Sequence, residues 1–204
     1  NVLALLFVIT AITIVLWGSR DMTTTSPLQH SMSLDPHYLP YYAYKTVMRM
    51  FLALIFALVF SFTYASIAAK NKTAETFLIP LLDILQSVPI LGFLSITVMG
   101  FIALFPGSLF GVECASIFAI FTSQAWNMTF SLYQSFKSTP KELKEAAIVY
   151  RLSPWQNFWR LNVPYAIPPL LWNTMMSISG GWFFVVASEA ITVSEQTIML
   201  PGIG

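Results

Sequence analysis

Asp83 and Glu189 sit in or beside long apolar runs of this chain, and Gln86 follows Asp83 by three residues. An ionisable group in hydrocarbon is costly and turns toward a bundle interior or a water-filled path. These three are therefore candidates for lining a route across a membrane, or equally for a structural bond to a neighbouring helix. Asp83 and Gln86 share one helical face at that spacing. Ion-driven transport would have to rest on Asp83 and Glu189. Intramembrane proteolysis would need a paired nucleophile and base, or a second aspartate near Asp83, and neither is visible. His30 and His37 have no third ligand at a sensible spacing, so no metal site is expected. Cys114 is the single cysteine, which excludes an intramolecular disulfide and a cysteine metal cluster. No G-x-x-x-x-G-K-[ST] loop occurs, so no ATP site is expected; nor is any other cofactor or catalytic cluster.

A second constellation lies between Lys137 and Asn162, where five of the ten basic residues gather: Lys137, Lys141, Lys144, Arg151 and Arg160. Thr139 suits a helix N-cap, Pro140 the first turn, and Glu142 the completing position of a capping box. Leu143, Ala147 and Tyr150 then fall on one stripe, away from Lys141, Lys144 and Glu145. Ser153-Pro154-Trp155-Gln156 repeats the start signal at once. The segment thus predicts two short capped helices forming a rigid knob, with small Ala146 and Ala147 letting another surface approach closely.

The elements that must carry these residues are membrane helices. Hydrophobic residues make up 56% of the 204 and charged ones 9%, far below the roughly one quarter charged of a soluble domain. A net charge of +1 excludes nucleic acid as a partner. Crossing a bilayer takes about 20 apolar residues, and five runs reach or approach that length: 2–17, 46–68, 77–105, 112–136 and 165–191. The first is read as a transmembrane helix rather than a signal peptide, because no basic segment precedes it and no cleavage pattern follows. Residues 18–45 then form an external or interfacial loop. The third run holds Pro80, Pro89 and Gly92 and predicts a tilted or broken helix. Gly180-Gly181 reads as a close-packing point or a bend, and Met175 and Met176 as core or lipid-facing.

The basic bias places 137–162 in the cytoplasm, with the Lys70 and Lys72 turn on the same side and the loop around Gly107 outside. Lys45 and Arg49 run against that bias at the outer end of the second run. With Tyr38, Tyr41, Tyr42 and Tyr44 beside them, they suggest snorkelling basic chains in an aromatic belt. The turn-rich stretch 192–204 is too short for an external domain, and five crossings predict a continuation into a sixth.

Glu145-Ala146-Ala147, with Leu161 and Val163-Pro164 downstream, resembles the E-A-A loop of the inner-membrane permeases of binding-protein-dependent ABC importers. Arg151 stands where that family has glycine, and Leu161 and Val163 depart more mildly; Ser153-Pro154 offers another stop for the first helix. Asp83-Ile-Leu-Gln86-Ser-Val-Pro89 with Gly92-Phe93, Val185 to Glu189, and Leu200-Pro201-Gly202-Ile203-Gly204 resemble the nitrate, sulfonate, taurine and bicarbonate branch, some of whose permeases are duplicated. The resemblance spans about 46–204. It implies an all-α transmembrane bundle of the type I importer class in the bacterial inner membrane, truncated here before its sixth span. It further implies a separate ATPase subunit, a second permease half, a periplasmic solute-binding protein and a small anion as solute. On this resemblance Lys141, Glu142, Glu145, Ala146, Ala147, Arg151 and Pro164, within a loop spanning 136–164, are expected to meet the ATPase.

Overall fold

The computed structural model describes residues 35–105, 110–193 and 196–203. The expected run 2–17 and His30 lie outside them. After a short turn at Pro36–Tyr38 come α1 (Leu39–Lys70), α2 (Lys72–Ser87), α3 (Ile90–Leu104), α4 (Phe110–Lys137) and α5 (Lys141–Val149). Then follow α6 (Pro154–Asn157), a π turn (Phe158–Asn162), α7 (Val163–Glu189) and a hairpin of β1 (Ala190–Val193) and β2 (Gln196–Met199). The fold is thus helical, with this one small hairpin added among the described residues.

Among the described residues, two helical stretches are long and apolar enough to cross a membrane, Pro36–Lys70 and Pro154–Glu189. The former begins well before residue 46, so part of the expected interfacial loop is helix. The third apolar run, expected to be tilted or broken, breaks at Val88–Pro89, while Pro80 is carried inside α2. Val88 is extended (φ −76°, ψ 123°) because Pro89 disfavours α geometry in the residue before it, and Pro89 then starts α3.

The chain divides into two compact units: Asn1–Ile55 with Pro89–Ser123 and Gly181–Gly204, and Phe56–Val88 with Gln124–Gly180. In the first, wholly buried Val98, Val112, Ala115 and Leu200 form a core under Leu94, Phe101 and Ile102. Gly111 permits close approach of α4 to α3, since a Cβ there would lie 2.7 Å from the Phe101 carbonyl oxygen. Segment 192–204, expected to be merely turn-rich, instead pairs Ala190 with Met199 through Val193 with Gln196 and sends Leu200 into the core. In the second unit, Ser61 bonds Thr129 at 2.8 Å, Tyr64 donates to the Leu78 carbonyl, and Asn71 caps α2.

Three local expectations change. Thr139 caps nothing: its buried hydroxyl donates to the Ser135 and Phe136 carbonyls, finishing α4, and Pro140 is left as the N-cap of α5 without a side-chain bond. The capping box at Ser153 and Gln156 does form, yet the helix it starts is not separate. It continues through the π turn into α7, because Pro164 has no N–H and its ring crowds the preceding turn, which widens so that Val163 bonds to the Phe158 carbonyl. The last apolar helix therefore begins at Pro154 rather than 165, and ends at Glu189. At Gly180 a Cβ would meet nothing within 4 Å among the described residues, so that glycine does not serve close packing among them. Met175 and Met176 are exposed.

Candidate functional site: the 137–162 knob and the buried charge cluster

Helix α5 presents Lys141, Glu142, Lys144 and Glu145 to solvent, with Ala146 half-buried and Ala147 buried. Its end is a full Schellman turn: Arg151 N–H donates to the Ile148 carbonyl and Leu152 N–H to the Ala147 carbonyl. Arg151 itself takes the left-handed conformation at φ 49°. An arginine thus occupies the backbone state that glycine reaches without a Cβ penalty. Replacing Arg151 by glycine is expected to stabilise the turn by about 1 kcal/mol, read as slower amide exchange at residues 151 and 152. Exchange that quickens instead would show that the arginine side chain holds the turn.

The expected stripe is only partly covered. Leu143, Ala146, Ala147 and Tyr150 line one shallow groove with Leu161 and Pro164, but Tyr150 is 78% exposed. Ile148 (75%), Val149 (78%) and Trp155 (70%) stand out beside it. Behind the knob, Glu75 at the start of α2 binds Lys137 Nζ at 2.6 Å and the Tyr133 hydroxyl. These bonds, that to Lys137 foremost, hold its carboxyl below the usual range. Lys70 lies 5.0 Å over the Phe158 ring.

The path candidates separate. Asp83 and Gln86 are exposed and bonded to each other, Gln86 Nε2 donating to Asp83 Oδ1 at 3.0 Å. Glu189 is buried in another cluster. Arg49, 0% exposed, donates from Nε and Nη2 to Glu113 at 2.5 and 2.7 Å, and from Nη1 to Glu189 at 2.8 Å and the Pro201 carbonyl at 3.0 Å. Thr46 donates to Glu189 at 2.6 Å and accepts from the Ile203 N–H. Arg49 therefore does not snorkel. Two carboxylates within reach offset the cost of burying it, which an interfacial position would have avoided. Lys45 is buried too, its Nζ 5.6 Å over the Tyr41 ring.

Sequence reasoning passed over Glu113. The signal was present: an acid at the outer end of the fourth apolar run, at the same expected depth as the anomalous Arg49. His37 lies in the exposed turn before α1, its backbone N–H bonded to Asp35. No group of three metal-ligating side chains occurs among the described residues.

The chain is 27% identical over 77 residues to the bicarbonate transport system permease protein of Synechocystis sp., covering 38% of this chain and 28% of that protein. It is 24% identical over 122 residues to the nitrate import permease protein of the same organism, 60% of this chain and 42% of the relative. To the nitrate import permease protein of Leptolyngbya laminosa it is 26% identical over 113 residues, 55% and 38% respectively. The chain thus spans less than half the length of these relatives. Residues 57–202, well over half of the chain and including the α5 knob, match a single family model, and the chain belongs to that family, the binding-protein-dependent transport system inner membrane components.

Proposed function

We propose that this chain is part of the solute path of an ATP-driven importer of a small anion, and that the 137–162 knob docks a separate ATPase subunit. The observation that carries this reading is the exposure of Ile148, Val149, Tyr150 and Trp155 on a segment whose basic residues assign it to the cytoplasm. Lipid does not cover that side, and four exposed apolar side chains within eight residues, on a segment that also exposes Lys141, Lys144 and Glu145, fit a protein partner.

In this mechanism, closure of a nucleotide-bound ATPase dimer pushes the knob. Because α6 runs without interruption into α7, displacement at Trp155 passes along one rigid helix rather than being absorbed in a loop. A second permease half completes the path, and a periplasmic binding protein delivers solute. The anion reading follows the nitrate and bicarbonate relatives.

Copurification tests it. The whole permease should retain an ATPase subunit, and Glu145→Ala should weaken retention about tenfold or more, as expected on losing a charge-assisted contact of about 1.5–3 kcal/mol. Undiminished retention and transport in the variant would remove Glu145 from the coupling surface.

A further inference from the structure

A polar stripe runs along α4 and the residue just past its end. Asn127, Ser131, Gln134 and Ser138 recur at spacings of four, three and four, and line a cleft of about 750 Å³ with Tyr165 and Asn173 of α7. The two helices run antiparallel in register, for the Tyr165 hydroxyl donates to the Ser138 carbonyl at 3.4 Å and Asn173 Nδ2 to Ser131 Oγ at 3.1 Å. No lining residue carries a charge.

Asn127 and Gln134 are exposed. With Lys137 at the cytoplasmic boundary, as the proposed topology has it, Asn127 lies ten residues before the end of α4, about 15 Å along the helix, level with the middle of a hydrocarbon layer roughly 30 Å thick. An amide exposed there cannot face lipid tails. Two buried groups continue the same faces toward the outside. Among the described residues, Gln124, three residues before Asn127 and 0% exposed, has no partner for either amide atom. Ser177, four residues after Asn173 and level with Asn127 in the register, likewise has a hydroxyl without a partner among the described residues. Buried polar atoms without partners call for water or a ligand.

We infer that this cleft is a transit site for a small oxyanion, held by uncharged donors, the amides of Asn127 and Gln134. The inference rests on the proposed anion-import reading and adds the site. Neutral donors suit transit, since they replace hydration without the tight ion pair that a lysine or arginine would make.

The test uses the whole permease, assembled with its ATPase in vesicles, with nitrate and bicarbonate as probes. Asn127→Leu and Gln134→Leu should each lower the rate of uptake about tenfold or more while assembly and ATP hydrolysis persist, and Asn127→Gln, which keeps the donor, should restore most of it. If the unmodified permease imports either anion and both leucine variants do so undiminished, the site is overturned and the import reading stands. If the unmodified permease imports neither anion, both are overturned. A separate readout covers misassembly. In a Cys114→Ala background, Asn127→Cys should react with a charged, water-soluble thiol reagent added from the cytoplasmic side, and either anion should slow the reaction. No reaction, or a reaction that neither anion slows, overturns the site.

Discussion

Arg49→Met is expected to destabilise the protein by about 3–5 kcal/mol, the cost of breaking a buried ion pair from one side. Arg49 holds four hydrogen bonds to Glu113, Glu189 and the Pro201 carbonyl. Methionine fills similar volume but leaves two buried carboxylates facing each other with no counter-charge from position 49. The penalty comes less from losing the attraction than from stranding those charges. Removing all three, as Arg49→Met with Glu113→Gln and Glu189→Gln, should therefore recover much of the loss. Thermal unfolding in detergent checks both variants. A single variant that melts with the unmodified protein would show that the cluster bears little stability, and a triple variant worse than the single would refute the stranded-charge account.

Gly202→Ala is the second large effect, expected at about 3 kcal/mol because it breaks the same buried network. A Cβ at Gly202 would lie 2.1 Å from the Glu189 carboxylate. That carboxylate cannot swing aside freely, being held by Arg49 and Thr46, so either the Leu200–Ile203 backbone lifts away or Glu189 leaves its partners. Lifting the backbone would also withdraw the Pro201 carbonyl from Arg49 and Leu200 from its core. The prediction is conditional, as contacts between neighbours are not additive. In a Glu189→Ser background, where the obstructing carboxylate is gone, Gly202→Ala should cost little. Equal destabilisation in both backgrounds would mean that the glycine matters for some reason other than Glu189.

What depends on neighbours along the chain was legible in the residues themselves. Apolar stretches long enough for a bilayer at the second and last runs, a break within the third, the capping box at Ser153 and the exposed charges of α5 all follow from local propensity, and the E-A-A resemblance pointed to the family that residues 57–202 match. Local signals misled where a competing local bond was stronger in context, as when Thr139 turned back to the end of α4 instead of capping α5. They also left open whether an arginine could close the α5 turn. Arg151 does so because two Schellman hydrogen bonds outweigh a left-handed penalty of about 1–2 kcal/mol.

What Glu189, Arg49 and the polar face of α4 are placed against was set by packing between distant segments. Arg49 meets acids 64 and 140 positions away, and no periodicity encodes such a pairing. Hydropathy registers that a charge is buried in an apolar run, but its partner is set by which helices pack together and at what depth. For the same reason Asp83 and Glu189, alike as acids near apolar spans, were parted by the fold: one stays exposed beside Gln86, and the other is locked to α1 and the final loop. A buried charge persists only where the packing brings its counter-charge within hydrogen-bond reach, and that is a property of three dimensions.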